Sequence, residues 1–338
     1  MIVNAVKKLV IGTNLNREEC YGAMDDIMGG RATPAQIASF ITALRIKGET
    51  VEEIAACAQV MRDRVVRVHV EAEDLVDTCG TGGDGARTFN ISTTAAFVVA
   101  GAGITVAKHG NRSVSSQSGS ADLFAALGVN IQAGIPVVER CLREVGIGFL
   151  FAPLLHGAMK HAIGPRQEIG IRTVFNILGP LTNPAGAPNQ VIGVYDPELT
   201  ETLCEVLREL GSRRAYVVHG CDGLDEITLT GTTRVSELKN NRIWTFNLDP
   251  AEFGFRYCRP EDLKGGDAET NAKITLSILN GEPGPKRDVI LLNAAAAIYV
   301  AGRSKSLKEG LAAAADSIES GRAMNKLEAL KRVSSEGA

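Results

Sequence analysis

The sequence lacks an excess of charge of either sign. Its 338 residues include 36 lysines and arginines against 39 aspartates and glutamates, which gives a net charge of -3. A protein with this balance has no overall attraction to nucleic acid or to an anionic membrane surface, although a local basic loop could still bind phosphate. We therefore expect neither nucleic acid nor a membrane among its partners.

Closely spaced cysteines are also missing. No two cysteines have CxxC spacing, and the seven are scattered at Cys20, Cys57, Cys79, Cys141, Cys204, Cys221 and Cys258. An odd and scattered set is typical of reduced cytosolic thiols rather than of a disulfide framework or a zinc site.

Long hydrophobic runs are missing as well. The longest, at 289–301, is interrupted by Asn293 and is too short to span a bilayer. Near the N-terminus, Lys7 and Lys8 stand where a signal peptide would need apolar residues. These features predict a cytoplasmic protein.

The remaining composition is that of a globular protein with many glycine loops. Hydrophobic residues make up 45% and charged residues 22% of the chain, close to the average for soluble proteins. A chain of this length is expected to form about two domains. Many of the 36 glycines lie in short clusters, which indicate loops where the backbone approaches a ligand closely.

The N-terminal part, 1–70, predicts a small helical domain. Asn16 with Glu19, and Thr50 with Glu53, have the spacing of helix capping boxes. Apolar residues recur at helical spacing, without the alternation that indicates a strand.

From residue 74 onward, short apolar segments alternate with helical stretches. The expected strands are 75–77, 104–107, 147–151, 191–195 and 215–219, and the expected helices are 93–100, 121–127, 137–145 and 198–210. This alternation predicts crossover connections and a mostly parallel sheet flanked by helices. A segment rich in glycine, proline and asparagine near 165–190 is expected to return to the helical domain. The sequence thus predicts an α/β fold with a helical domain at 1–70 and a larger α/β domain at 71–338.

A glycine-rich segment follows the first expected strand. Residues 79–85 read CGTGGDG, and clustered glycines after a strand expose backbone N–H groups that can hold a phosphate or pyrophosphate. The NISTT segment at 90–94 then begins a helix, whose N-terminus adds free N–H groups and a positive dipole. The pattern is neither GxGxxG nor a P-loop, and the alternative is an ordinary glycine turn followed by a Ser/Thr cap.

A second candidate segment, KHGNRSVSS at 108–116, follows the next expected strand. It places two fixed cations, an imidazole, an amide and three hydroxyls within nine residues, which favours polyanion binding over a solvated loop. Ligands bind at the carboxyl ends of strands in open parallel sheets. In the SGSAD segment that follows, Ser120 is expected to cap a helix and is a candidate phosphate ligand.

Further candidate side chains lie downstream. Asp225 and Glu226 follow a third expected strand, and their oxygens suit Mg²⁺ on a phosphate-bearing substrate, although such a pair alone is usually a solvated turn. Arg166 could fork onto a carboxylate. His156 and His161 are spaced i, i+5, which is unsuited to a shared metal site.

Together, the segments GTGGD, NISTT, KHGNRSVSS, SGSAD and DE resemble, in order and spacing, those of the anthranilate phosphoribosyltransferase family. The resemblance covers essentially the whole chain, including GPRQEIGIRTVFNILGPLTNPA and LNAAAAIYVAG. One departure is Phe124-Ala125, where the family usually has Leu-Glu. We expect this departure to affect helix packing or a peripheral contact more than substrate chemistry.

The resemblance implies an enzyme of tryptophan biosynthesis that joins anthranilate to 5-phosphoribosyl 1-diphosphate (PRPP), releases pyrophosphate and uses Mg²⁺. It also implies a homodimer with the active site in the hinge between the two domains. Association with anthranilate synthase subunits is left open. Departure of pyrophosphate needs charge stabilisation more than a strong base, and Mg²⁺, Lys108 and the glycine-loop N–H groups would supply it.

The same resemblance assigns residues to each ligand. PRPP is expected at Gly80, Gly83, Asp84, Thr88, Asn90, Ser92, Thr93, Lys108, His109, Gly110, Asn111, Arg112, Ser113, Ser115, Ser116 and Ser120. Anthranilate is expected at Gly80, Asn111 and Arg166, and Mg²⁺ at Ser92, Asp225 and Glu226. Lys108 is the expected electrostatic catalyst, and no residue is expected to act as a general acid or base.

Two alternative functions would fit part of this pattern. A pyrimidine nucleoside phosphorylase shares the fold and a similar SGxAD stretch, but the Arg166 segment and the acidic pair favour the transferase. A relative that has lost catalysis and binds nucleic acid should show a basic groove and a degraded glycine or acidic motif. Here the net charge is -3 and the motifs are intact.

Overall fold

Four helices form the N-terminal part of the chain in the computed structural model, which describes residues 1–113 and 117–336. They are α1 Ile2–Leu9, α2 Arg17–Met28, α3 Pro34–Lys47 and α4 Val51–Arg64. Both expected capping boxes are present, because the side chains of Asn16 and Thr50 accept hydrogen bonds from the backbone N–H groups of Glu19 and Glu53. These local signals therefore begin α2 and α4 where the sequence predicts them.

Strands and helices alternate in the rest of the chain. Up to the middle of the sheet the elements are β1 Val76–Gly80, α5 Ile91–Gly101, β2 Val106–Gly110, α6 Ser120–Ala126, α7 Ile135–Arg140, β3 Ile147–Phe151, α8 Ala152–Leu155, α9 Lys160–Ile169, α10 Phe175–Leu178 and β4 Asn189–Gly193. They continue with α11 Leu199–Glu209, β5 Arg214–Gly220, β6 Thr233–Lys239, β7 Arg242–Leu248, α12 Ala268–Leu279, α13 Pro285–Val300, α14 Leu307–Glu319 and α15 Arg322–Ser335.

The strands form one sheet in the order β3-β2-β1-β4-β5-β6-β7. The neighbours from β3 to β5 are parallel, whereas β6 and β7 add antiparallel strands at one edge. A mostly parallel sheet flanked by helices and preceded by a helical domain confirms the predicted fold class. None of the helices in the described ranges combines the length and apolar character needed to cross a membrane.

The antiparallel strands β6 and β7 are the main element that the sequence analysis missed. They are joined at Asn240 and Asn241, whose φ angles are 52° and 60°. Asparagine tolerates this left-handed region, and two such residues in a row form the tight turn of a β-hairpin. The Asn-Asn pair was the available sequence signal.

A hydrophobic core lies on each face of the sheet. One core packs α5, α6 and α12 to α15 against the sheet, and the other joins the N-terminal helices and α11 to the opposite face. Helix α9 contacts α2 and α3, and Arg62 Nε of α4 donates a hydrogen bond to the carbonyl oxygen of Leu181 at 2.7 Å. The segment before β4 therefore lies against the N-terminal helices.

Two local expectations need correction. Ser120 does not cap α6 but is its first residue; the cap is Gly119, whose N–H donates to Asp122 Oδ2 at 2.9 Å. The helix expected at 137–145 is α-helical only to Arg140, and its last turn, Cys141–Val145, is π-helical.

Phe124, which stands where the family usually has leucine, lies in the hydrophobic core. This position agrees with the expected effect on helix packing. Phe124 is fully buried on α6, with its ring centroid 5.5 Å from that of Phe97 and 4.5 Å from that of Phe149. Ala125 is exposed. The phenylalanine therefore fills a site between α5, α6 and β3.

We expect Phe124→Leu to lower the free energy of unfolding by about 1–2 kcal/mol, because it removes two aromatic contacts and leaves unfilled volume. Chemical denaturation measures this loss. The matched control, Ala125→Glu, changes an exposed site and should shift stability by less than about 0.5 kcal/mol. Equal stability of Phe124→Leu and the unmodified protein would contradict the aromatic packing role.

Candidate active site

The site forms around the carboxyl end of β1. The parallel neighbours of β1 are β2 on one side and β4 on the other, so the chain connections diverge at this strand. In open parallel sheets, such a divergence leaves a crevice at the carboxyl ends of the strands, where ligands bind. The glycine segment that follows β1 lies at this crevice.

The glycine loop has a backbone that other residues would adopt only with strain. Gly82, Gly83 and Gly85 have φ angles of 67°, 79° and 72°, and all three are exposed. These left-handed conformations explain the need for glycine, and they leave backbone N–H groups uncovered by side chains. Thr88 ends the loop in an isolated bridge with Lys264.

The loop after β5 crosses the ends of β1 and β4. A Cβ atom on Gly80 would lie 2.4 Å from Asp225 Oδ2, and one on Gly193 would lie 1.5 Å from the Asp225 carbonyl oxygen. Asp225 Oδ2 also accepts a hydrogen bond from the Gly82 N–H at 2.7 Å. Glycine at both strand ends therefore lets Asp225 reach the glycine loop. Gly193 was not among the expected site residues, although a glycine within an expected strand is a signal of close approach.

The acidic pair lies in a polar but poorly hydrated environment. Glu226 Oε1 accepts a hydrogen bond from the Ser92 N–H, at the start of α5, at 2.9 Å. Loss of hydration, with the neighbouring Asp84 carboxylate, raises the pKa of Asp225 to about 7. Loss of hydration and the charge of Asp225 raise the pKa of Glu226 to about 8. Both shifts arise first from burial and second from a neighbouring carboxylate, so the site disfavours the ionised forms of the pair.

Within the described ranges, the acidic pair has no ion-pair partner, and the charge of Lys108 acts on Glu226 without direct pairing. Among the described residues, neither Asp225 nor Glu226 forms an ion pair, and no group of three or more His, Cys, Asp or Glu side chains there is arranged to hold a metal ion alone. Mg²⁺ commonly takes only one or two protein carboxylates and completes its shell with water and substrate phosphate oxygens. Two uncompensated carboxylates beside a phosphate-type loop fit that pattern.

Lys108 differs from its expected position. It lies within β2, paired opposite Phe149 of β3, rather than in the following loop. Its buried ammonium donates a hydrogen bond to the carbonyl oxygen of Thr78. Burial raises the pKa of Asp77, and the positive charge of Lys108 opposes that shift. The ammonium of Lys108 is therefore not exposed to solvent, and its positive charge influences the site from the interior of the sheet.

The imidazole of His109 also differs from its expected position. Successive residues of a strand point to opposite faces of the sheet, so His109 and Lys108 diverge. The His109 ring is buried, with its centroid 5.2 Å from that of His156. Burial lowers the pKa of His156 to about 4 and that of His109 well below its usual value. The ring is therefore a neutral interior group, and the assignment of His109 to PRPP stays a prediction.

The loop after β2 is organised by Asp122. Arg112 Nη1 forms an ion pair with Asp122 Oδ1 at 2.8 Å, and the Ser113 N–H donates to Asp122 Oδ2 at 3.0 Å. Arg112 was expected to bind PRPP, but here its guanidinium engages a carboxylate of the protein.

The two ends of this loop lie close together. A Cβ atom on Gly110 would lie 1.9 Å from Ser120 Oγ, and that hydroxyl donates to the carbonyl oxygen of Asn111 at 3.3 Å. Ser115 and Ser116, both expected to bind PRPP, lie outside the described residues.

At the start of α5, two expected ligands have their side chains engaged or buried. Asn90 Nδ2 donates to the Ser118 carbonyl oxygen at 3.1 Å, and Asn90 Oδ1 accepts from Asn271 Nδ2 at 2.9 Å. The side chain of Thr93 is buried, so its backbone N–H is the group that it can offer. Asn271, on α12, was missed because no spacing in the sequence relates it to the NISTT segment.

Arg166 lies on α9, at the side of the N-terminal helices. It is half-buried, with its guanidinium carbon 5.0 Å from the centroid of the Phe175 ring, and burial lowers its pKa. Within the described part of the chain it forms no ion pair. A half-buried cation without a carboxylate partner can bind an anionic ligand.

Comparison with known proteins defines the class first. A family model described as glycosyl transferase family, a/b domain, matches residues 72–324, and one described as glycosyl transferase family, helical bundle domain, matches residues 3–65. The chain therefore belongs to the glycosyl transferase family.

Individual relatives narrow this class. Anthranilate phosphoribosyltransferase from Acetivibrio thermocellus is 57% identical over 97% of this chain and 95% of its own length. The enzyme of that name from Thermus thermophilus is 45% identical, covers 98% of this chain and 99% of its own, and has a TM-score of 0.93. The Saccharomyces cerevisiae enzyme in complex with PRPP and Mg is 31% identical, covers 99% and 98% of the two chains, and has a TM-score of 0.89. This chain is a member of the anthranilate phosphoribosyltransferase family.

Proposed function

We propose that the protein transfers the phosphoribosyl group of PRPP to the amine of anthranilate. The products are N-(5-phosphoribosyl)anthranilate and pyrophosphate, the second step of tryptophan biosynthesis from chorismate. The observation that carries this proposal is the position of the acidic pair at the point where the sheet connections diverge: Asp225 contacts the glycine loop, and Glu226 contacts the start of α5.

The described residues support a mechanism based on binding and electrostatics. The glycine loop and the start of α5 offer backbone N–H groups to pyrophosphate, and the buried Lys108 adds positive charge beneath them. As the bond from the sugar carbon to pyrophosphate weakens, negative charge grows on the leaving group. The arylamine attacks once Arg166 and its surroundings hold anthranilate close to that carbon.

The uncompensated pair Asp225 and Glu226, with Ser92, would hold Mg²⁺. A bound divalent cation neutralises negative charge on phosphate oxygens. A solved relative in complex with PRPP and Mg supports this assignment. The proposal extends to a cytoplasmic homodimer with a domain boundary near residue 70.

A direct assay tests the proposed activity. Anthranilate is fluorescent, so we expect the purified protein with Mg²⁺ to cause a loss of this fluorescence that depends on PRPP. A parallel reaction with a pyrimidine nucleoside and inorganic phosphate tests the phosphorylase alternative. Turnover in the second reaction alone would replace the transferase proposal.

We expect Arg166→Ala to raise the KM for anthranilate more than that for PRPP, because its guanidinium is assigned to the anthranilate carboxylate. The loss of one charge-assisted pair costs about 1.5–3 kcal/mol. Arg166→Lys keeps the charge but loses the two-pronged geometry, so an intermediate KM is expected. The exposed Arg256→Ala serves as the control. Equal changes in the two KM values would contradict this assignment.

A further inference from the structure

Arg172 connects the segment after α9 to the glycine loop. Its Nη2 donates a hydrogen bond to the carbonyl oxygen of Gly83 at 2.5 Å. Its guanidinium carbon lies 4.0 Å from the centroid of the Tyr195 ring, which follows β4. Within the described ranges, Arg172 forms no ion pair. Arg172 is not among the site residues expected from the sequence.

The hydrogen bond to Gly83 orients a peptide plane. In a trans peptide, the carbonyl of one residue and the N–H of the next point in opposite directions. A donor that holds the Gly83 carbonyl therefore directs the Asp84 N–H away from Arg172. Reversal of this plane changes ψ of Gly83 and φ of Asp84, and a glycine on one side of the peptide lowers the steric cost of that rotation when no external contact opposes it.

Tyr195 provides a fixed platform for the guanidinium. Its backbone N–H donates to Thr81 Oγ1 at 3.2 Å, and the Thr81 N–H donates to the Gly193 carbonyl oxygen at 2.9 Å. Tyr195 is thus attached to Thr81, the first residue of the glycine loop, while Arg172 contacts Gly83 in the middle of the same loop. Stacking on an aromatic ring restricts a guanidinium that would otherwise be mobile, so its hydrogen bond costs less entropy.

We propose that Arg172 is a positioning residue that holds the Gly83–Asp84 peptide in the orientation that presents its N–H to pyrophosphate. It does so through the carbonyl hydrogen bond and the stacking on Tyr195, rather than by contact with the ligand. This inference rests on the proposed function, since it concerns the same pyrophosphate site.

Nearby Arg45 provides a matched control. Burial raises the pKa of Tyr195, and the charges of Arg45 and Arg172 both oppose that shift, so both cations lie near the ring. Arg45 pairs with Glu49 at 3.7 Å, and none of its described contacts is with the glycine loop. Arg45→Ala therefore removes a cation from the same surroundings and leaves the Gly83 hydrogen bond intact.

The test uses the full chain with the variants Arg172→Ala, Arg172→Lys, Tyr195→Phe and Tyr195→Leu. We expect Arg172→Ala to raise both the KM for PRPP and the Kd for inorganic pyrophosphate with Mg²⁺ by about tenfold. The KM for anthranilate should change by less than about threefold. Arg172→Lys and Tyr195→Leu should give intermediate values, while Tyr195→Phe and Arg45→Ala should bind like the unmodified protein.

Other outcomes would overturn the inference. Full recovery in Arg172→Lys, with no effect of Tyr195→Leu, would indicate a direct ionic contact with the ligand. A lower melting temperature with unchanged KM and Kd would indicate a structural role only. Failure of the unmodified protein to turn over PRPP and anthranilate would refute the proposed function, whereas its normal turnover beside an unaffected Arg172→Ala would refute this inference alone. Pyrophosphate titration tests the positioning role in both cases.

Discussion

Combining Asp225→Asn with Glu226→Gln is expected to lower the turnover rate by at least about tenfold, or ~1.4 kcal/mol of transition-state stabilisation. Both replacements keep an oxygen that can accept the hydrogen bonds from the Gly82 and Ser92 N–H groups. The fold should therefore persist, and removal of two poorly hydrated negative charges should leave the melting temperature of the metal-free protein unchanged or higher.

The readout independent of activity is the rise in melting temperature on adding Mg²⁺ with pyrophosphate. We expect the double variant to lose this rise. A control with Glu18→Gln and Glu252→Gln removes the same formal charge from exposed positions and should keep it. An unchanged rate and an unchanged Mg²⁺ response in the double variant would reject the metal assignment.

Gly83→Val is expected to abolish PRPP binding. The φ of 79° is unfavourable for a β-branched residue, and the new Cβ atom would lie 3.3 Å from Arg172 Nη2. The side chain would also cover N–H groups that the loop presents to phosphate. Because Gly83 is exposed, the loss of stability should be limited to backbone strain, about 1–3 kcal/mol.

Calorimetric titration beside a melting curve separates these effects. Gly254→Val is the matched control, because Gly254 has a φ of 85° with open space around it and belongs to another loop. That variant should lose similar stability and keep its affinity for PRPP. Retained affinity in a folded Gly83→Val protein would remove the main physical support for the pyrophosphate loop.

Local signals in the sequence were sufficient for much of the fold. The capping boxes at Asn16 and Thr50 depend on residues three positions apart, and they begin helices as predicted. The predicted end of β2 was wrong, because it depends on a contact that is distant in the sequence. Its apolar run stops at Ala107, yet pairing with β3 continues to Gly110. Strand pairing is set by a distant partner, so the local sequence predicts a loop at Lys108 and His109 where the structure has a strand.

The residues of the candidate site also divide into those that local sequence patterns predict and those that they do not. The glycine loop and the acidic pair follow strands, and the rule for parallel sheets brings strand ends together. Arg172 and Asn271 belong to segments whose approach depends on the path of the whole chain. No spacing within the sequence relates either residue to the loop that it contacts.

The contact between Asp225 and the glycine loop leads us to expect that the site forms late in folding. Gly82 and Asp225 are separated by 143 residues, so bringing them together costs loop-closure entropy until β1, β4 and β5 are paired. Helices can form earlier, because their contacts are local. A refolding chain with near-native helical content would therefore still lack the acidic pair on its loop. A response to Mg²⁺ reports the completed sheet, which circular dichroism of the helices does not.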